Sequence, residues 1–450
     1  MVLFSGALAI KQKEITNLLL PTTKDSTCAY LIPSMYAPYR NNLQCGRFMK
    51  KIFALLALSG ISGTCFSQTF VLTDVDHNIE KGNWQLPLNS IPALAKRKIR
   101  ITQTVLHGGR QEGSKIITIT DPTGLTIVLS PTRGMGILHV SSGQIQLGWN
   151  SPVKEVVNPN TINLDSNQGL GWLEGFNEMM VRCGFEWAGH PVVDNGRLYT
   201  LHGRAENLPA SNVEIEVDNN APYAITVRGL VKEVAFKKTN LQGWTALRYV
   251  PGQQSFEIHD KLLNASDYPQ NYELIYHSNF STPLLEEGSH FVSATKNVAP
   301  FNDYAKDGLK SWEVYKGPTL NFNEMVFNVY PYSRQDGSTE VALVNRANDK
   351  GVSIRFNTNQ LPVLSLWKNT DTVNQGYVTG IEPGTNFSYP VTIERAQGRI
   401  KTLAPGKHVH FDLTYTVLDS ATQVKQAEER IQSIKAGRTT TLIDQPTAKE

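Results

Sequence analysis

Short runs that alternate apolar and polar residues, bounded by Gly, Pro, Asn and Asp, recur along most of this 450-residue chain. No other feature constrains its fold as much. Side chains on a strand point to opposite faces with period two, so such runs form half-buried β-strands. Clear cases are KIITITDPTGLTIVLSP from Lys115, NVEIEVDNN from Asn212, YAITVRGLV from Tyr223, QSFEIHDKLLN from Gln254, YELIYHSNF from Tyr272 and HVHFDLTYTVL from His408. DPTG and NDKG supply turns that end in glycine. No Pro- or Ser-rich linker and no fixed short repeat divides the runs. Many strands with few helices predict an all-β sandwich or barrel, in one large domain with few short helices. One helix is expected over SATQVKQAEERIQSIKAG, with Ser420 as N-cap and Gly437 as stop. Its polarity places it at an edge, and the following TTTLIDQPTAKE is expected to fray. Ala93 to Arg100 is expected to hold a short helical turn.

The start of the chain reads differently. Residues 1–48 lack alternation. Met49 then opens MKKIFALLALSGISGTCFSQTF, where Lys50 and Lys51 precede an apolar stretch too short to span a bilayer. Cys65 and Ser67 are small residues at −3 and −1 of a cut before Gln68. The expected division is an upstream segment translated in error (1–48), a signal peptide (49–67), the β unit (68–420), and a C-terminal helix with flexible tail (421–450). A targeting presequence or disordered extension is the other reading of 1–48. The signal implies a periplasmic or secreted protein. Thr64 is larger than the residue that usually precedes a lipidated cysteine, which argues against Cys65 as an anchor.

Without 1–67 the charge changes sign. The whole chain has 43 Lys/Arg against 40 Asp/Glu; seven bases and two acids lie in 1–67, which leaves a net charge of −2. No long like-charge run remains, so neither nucleic acid nor an anionic membrane is an expected partner. Of the four cysteines only Cys183 lies beyond residue 67. An internal disulfide is therefore impossible in the β unit, and MMVRCGF suits Cys183 to packing rather than nucleophilic attack.

The candidate chemistry gathers first in GWLEGFNEMMVRCGFEWAGHPVVDNGRLYTLHGR, from Gly171 to Arg204. His202 is followed by Gly203, which lets the backbone approach a ligand, and by Arg204, a fork suited to hydroxyl or carboxylate groups. Glu174, Asn177 and Trp187 are possible rim contacts. In YELIYHSNF, period two sets His277 and Asn279 on one strand face, opposite Tyr272, Leu274, Tyr276 and Ser278. Two polar groups on one face either share a ligand or make an inter-sheet bond. In GYVTGIEPGTN, Pro383 and Gly384 are expected to form a rigid turn that fixes Glu382. Partial burial would raise its pKa toward that of a useful base. A solvated turn carboxylate is the plainer reading. Arg133 stands in a permissive turn, SPTRGMGI. His107-Gly-Gly-Arg110 precedes the first clear sheet strands and is set aside. There is no HExxH, paired CxxC, EF-hand loop, GxSxG, or GxGxxG after a strand, so no metal and no cofactor is expected.

From about Lys115 to Leu418 the ordered segments GLTIVLSPTRGMGI, LGWNSP, GFNEMMVRCG, LYTLHGR, IYHSNF, GIEPGTN and LAPGKHVHFDLTYTV resemble the aldose 1-epimerase (galactose mutarotase-like) superfamily. The resemblance is to a branch of it carried as a domain of unknown function. It implies a galactose mutarotase-like β-supersandwich with a sugar-binding cleft on one concave sheet face. It further implies that His202, His277 and Glu382 match the family's two histidines and glutamate, and Arg133 its early arginine. Arg204 departs from the pattern, and the family's substrate-binding aspartate has no match.

The implied activity is exchange of sugar anomers without a cofactor, with Glu382 as base, His277 as acid, and His202 and Arg204 holding hydroxyls. The expected partner is a small sugar. Two other readings stand beside it: a non-catalytic carbohydrate-binding protein on the same fold, or another sugar epimerase or lyase using the same acid and base.

Overall fold

The computed structural model describes residues 67–448, Leu88 excepted. The leader and signal-peptide expectations fall outside these residues except for Ser67, which opens the strand Ser67–Asp74.

Two large, mostly antiparallel sheets dominate, one of ten strands and one of fourteen. Alternation places the core between them. The strand Asn240–Tyr249 of the ten-stranded sheet turns every second residue inward, among them Leu241, Leu247 and Tyr249. The facing sheet sends Ile117, Ile119, Ile127 and Leu129 into the same core cluster. Burying these alternating faces is what closes the sandwich.

The middle of the fourteen-stranded sheet breaks the alternation. Met180–Phe185 and Val378–Gly384 are buried at every position, and Gln270–Phe280 is buried from Tyr272 onward. One face meets the inter-sheet core, where the Tyr276 hydroxyl donates to Asp260 at 2.8 Å and Ser278 Oγ lies 2.8 Å from the Tyr415 hydroxyl. The other face is roofed by the loop that carries Trp172 and Phe176, which forms a second apolar cluster with Val181, Cys183, Ala188, Leu201 and Ile275. A strand covered on both sides reads as a continuous apolar run. A half-covered roof is also where a cleft can open.

Among the described residues the helices are few and short. The longest, Ala421–Lys435, starts after Ser420 and stops at the left-handed Ala436 and Gly437. Ser420 makes no side-chain cap bond. Val424, Ala427, Ile431 and Ile434 pack on Ala294, Ala342, Val344 and Leu418 at the edge of the ten-stranded sheet. Arg430 clamps the buried Glu340 at 3.0 and 2.8 Å. The expected short helix spans Pro92–Lys96. The chain after the long helix does not fray as expected. Thr441–Leu442 pairs with Thr295–Pro300, and Thr447 Oγ1 accepts from Asn328 Nδ2 at 2.7 Å.

Candidate functional site

Three neighbouring strands lay the floor of a cleft of about 270 Å³, close to the lower limit of roughly 300 Å³ for small-molecule sites. Val363–Asn369 contributes Trp367, Val378–Gly384 contributes Glu382, and Gln270–Phe280 contributes His277. The ladder pairs Ile275 with Gly384 and Ser278 with Ile381, so His277 faces Glu382 across it. Pro383 has no N–H to give this ladder, and pairing is interrupted at Tyr276 and His277. The turn expected at Pro383 and Gly384 is absent: both lie within the strand, with Pro383 opposite Leu364. Glu382 is therefore fixed by a strand rather than by a turn, which holds it more firmly.

Gly380 makes room for this arrangement. A Cβ there would collide with Glu382 Oε1 and come within 3.2 Å of the His277 ring. His277 Nε2 and Glu382 Oε1 stand 3.2 Å apart. They lie off the line of a good hydrogen bond, which leaves Glu382 Oε1 buried without a partner, and His277 Nδ1, on the other side of the ring, is also buried and unpartnered. Burial drives the His277 pKa down to about 4. Burial, helped by the charge of Glu324, drives the Glu382 carboxyl well above its usual range. Both groups are thereby pushed toward their neutral forms.

His202 enters from a loop. It and Gly203 both take left-handed backbone conformations, with φ of 58° and 74°. A side chain at 203 would strike the carbonyls of Trp187 and Gly184, so the glycine is required for this approach. The His202 N–H donates to Gly189 O at 3.0 Å, its carbonyl accepts from Gly184, and its ring Nδ1 donates to Ala188 O at 3.0 Å. Burial holds its pKa well below the usual value, with His277 nearby adding to the effect. The two imidazoles meet edge to face, 5.4 Å between centroids. Trp172 packs on His202 at 4.6 Å, while Phe176 and Trp367 flank His277 at 5.4 and 5.6 Å.

The cleft thus brings together His202, His277 and Glu382. The other sequence-predicted contacts stand elsewhere. Arg133 is fully buried and spent: Nε donates to Glu178 at 2.6 Å, and Nη2 donates to Glu206. Its Nη1 donates to Val157 O and Asn207 Oδ1, and with no exposed surface it presents nothing to a ligand. Arg204 is exposed and lines a separate hollow with Trp187 and Asp165. The His202-Gly203 turn sends the two neighbours of Gly203 to different sides. Trp187 gives its indole N–H to Thr200 O at 2.7 Å and packs against Arg197. Asn177 Nδ2 donates to the carbonyls of Val153 and Glu155. Glu174 accepts from Arg110 at 2.9 Å and Ser166 at 2.9 Å, beside the cleft but outside its lining. Asn279 shares the face of His277 but is wholly buried, with Nδ2 donating to Glu178 O at 3.0 Å. Cys183 is sealed beneath the floor, and burial raises its thiol pKa, as packing requires.

The sequence singled out none of His190, Glu324, Ser388 or Phe176, and among its tryptophans Trp187 stood as the contact where the cleft uses Trp172 and Trp367. Trp367 donates its indole N–H to Glu324 Oε2 at 2.7 Å. His190 Nδ1 donates to Ser388 O. Glu324 sits just before the strand Met325–Pro331, and its position there was the available signal.

Among the described residues, no group of three or more His, Cys, Asp or Glu side chains has the spacing of a metal site. No helix among them is long and apolar enough to cross a membrane.

Comparison with known proteins places the chain in a family. A family model, domain of unknown function DUF4432, matches residues 111–417. A crystal structure of a "putative aldose 1-epimerase" from Klebsiella pneumoniae subsp. pneumoniae is 57% identical, with a TM-score of 0.83, over 85% of this chain and 100% of the other. A galactose 1-epimerase from Lactobacillus acidophilus is 10% identical, with a TM-score of 0.48, over 72% of this chain and 99% of that one. A galactose mutarotase-like protein from Clostridium acetobutylicum is 13% identical, with a TM-score of 0.47, over 70% and 97%. No curated protein matches. The family model and the Klebsiella relative carry the assignment: this chain belongs to the DUF4432 family, within the aldose 1-epimerase (galactose mutarotase-like) superfamily.

Proposed function

We propose that the protein binds a free sugar in this cleft and interconverts its anomers by general acid/base catalysis. One observation carries the reading: an imidazole and a carboxyl group in 3.2 Å contact, both pushed toward neutrality, on the floor of an aromatic-walled cleft.

Anomer exchange removes a proton from the O1 hydroxyl and delivers one to the ring oxygen. The C1–O5 bond breaks, C1=O1 forms, the C1–C2 bond turns, and the steps reverse on the other face. The reaction needs one held proton and one vacant lone pair. A neutral His277–Glu382 pair holds one of each and titrates as a unit. In the empty cleft burial favours the proton on the Glu382 carboxyl. The sequence-based assignment, with Glu382 as base, describes the form in which that proton has crossed to His277. Side by side, the two groups address O1 and O5 from one edge of the ring. His202 orients a hydroxyl, and Trp172 and Trp367 cover the apolar ring face.

Exchange spectroscopy by NMR on a panel of aldoses tests this. Wild-type protein speeds exchange for at least one sugar, and Glu382→Gln and His277→Ala each reduce the rate by about 10²–10⁴-fold while remaining folded. Sugar binding without any acceleration would instead establish a non-catalytic carbohydrate-binding protein. We also place the protein in the periplasm or the medium, on the Met49 leader pattern; a mature N-terminus at Gln68, read by mass spectrometry, is the expected result.

A further inference from the structure

The ring nitrogens in the cleft are not free to choose their roles. A carbonyl oxygen can only accept, so a nitrogen that contacts one must carry the proton. His202 Nδ1 bonds Ala188 O, and His190 Nδ1 bonds Ser388 O. Each neutral ring is left with an unprotonated Nε2, and both residues line the cleft. Glu324 completes the pattern. Its Oε2 is taken by the Trp367 indole, and Oε1 has no hydrogen bond among the described residues. No Lys or Arg lies among the residues lining the cleft. One indole N–H there has no partner, that of Trp172, but it is sealed from the surface of the cleft. Apart from the proton held by the His277–Glu382 pair and the Ser388 hydroxyl, the polar groups that a ligand meets are lone pairs, with a carboxylate at the mouth.

We propose that this cleft is specific for uncharged, donor-rich polyhydroxy ligands, and that His190, His202 and Glu324 exclude sugars bearing phosphate or carboxylate groups. A hydroxyl donates to Nε2 of either histidine or to Glu324. A phosphate or carboxylate brings only further lone pairs and negative charge. It meets no cation and lies near Glu324, so it is desolvated without compensation. This deepens the sugar-binding part of the function proposed above and rests on it, but it does not depend on catalysis.

The test separates the two. Binding is measured at pH 8 by saturation-transfer NMR and titration, with each neutral sugar set against its charged counterpart: glucose against glucose 6-phosphate, and galactose against galacturonate. Each neutral sugar that binds does so at least about tenfold more tightly than its anionic partner. Glu324→Gln narrows that gap at least about threefold, because the amide can donate and carries no charge. In protein labelled with ¹⁵N-histidine, His190 and His202 show Nδ1 protonated and Nε2 bare. An anionic sugar that binds as well as its neutral parent overturns the proposal, as does an Nε2-protonated tautomer at either histidine. A panel in which no neutral sugar binds overturns both this proposal and the function above. Neutral sugars that bind selectively without anomer exchange sink the catalytic reading alone.

Discussion

Tyr276 and His277 are neighbours on one strand and point to opposite faces of one sheet. Tyr276 enters a saturated network. Its hydroxyl donates to Asp260, which also takes Nη2 of Arg182 at 3.1 Å, while Arg182 Nη1 donates to Met135 O at 2.9 Å. His277 enters a cluster whose buried atoms lack partners, its own Nδ1 and Glu382 Oε1 among them. Both clusters are almost fully buried. The difference teaches what burial of polar groups is for in this protein. The first is closed on itself and holds the two sheets together. The second leaves buried donors and acceptors without partners, which costs stability and is the pattern the proposed sugar site requires.

The sharpest way to break this contrast is to open the closed side. Arg182→Ala leaves the Asp260 carboxylate buried beside an empty space. Its expected cost is about 3–5 kcal/mol in urea unfolding. On the open side, Glu382→Gln removes a group already neutral and half-unpartnered. It is expected to cost under about 1 kcal/mol while abolishing most exchange activity. Equal stability losses in the two variants would show that both clusters are architectural.

Gly380 tests how tightly the floor is set. Gly380→Ala drives a methyl group into Glu382 Oε1 and the His277 ring. Overpacking of this kind costs about 1–3 kcal/mol, and the displaced pair is expected to lose exchange rate by about 10²-fold. A crystal structure of the variant with the His277–Glu382 contact unchanged would refute the account of the floor.

The pair also fixes a pH profile. The His277 pKa is about 4, lowered from 6.5, so the free cleft keeps its neutral imidazole down to roughly that pH. The kcat/KM for exchange is expected to hold through pH 5 and to fall about tenfold per unit below pH 4. The stability linkage has the matching sign. Between pH 6.5 and 4 the unfolded chain binds a proton that folded His277 refuses, so this group's contribution falls as pH drops through that window. Glu382 acts in the opposite sense, since its folded carboxyl keeps a proton that the unfolded chain releases above its ordinary pKa. Replacement of His277 by Asn removes the first component and leaves that of Glu382 unopposed, so the variant is expected to gain stability relative to wild type as pH falls from 6.5 to 4.

How much of this could be read in the sequence follows from which interactions are local. Period-two alternation is a property of neighbouring residues, and it gave the all-β class and the face shared by His277 and Asn279. It could not say that Asn279 is capped by Glu178 O, because that contact joins a strand to a loop far away in the chain. The same limit hid the roles of Glu324 and Trp367, which meet only when two strands pair. Arg133 misled for a related reason. Its turn looked open to a ligand, and its partners Glu178 and Glu206 come from other loops. The tail beyond Gly437 looked free because a two-residue strand leaves no pattern.

Arg204 supplies the smallest expected effect and the cleanest check on the boundary of the cleft. Sequence proximity to His202 made it a hydroxyl clamp. In the fold its side chain is exposed beside Trp187 and Arg197, and its nearest acidic neighbours include Glu186 and Glu233. Its backbone N–H, which donates to Gly184 O at 3.0 Å, survives substitution. Arg204→Ala therefore removes only a solvated charge, expected to alter unfolding free energy by less than about 0.5 kcal/mol. Exchange rate and sugar affinity should stay within about twofold of wild type, since a screened charge outside the cleft acts weakly at physiological salt. A tenfold loss of affinity would move the boundary outward and make the Arg204 hollow part of the sugar site.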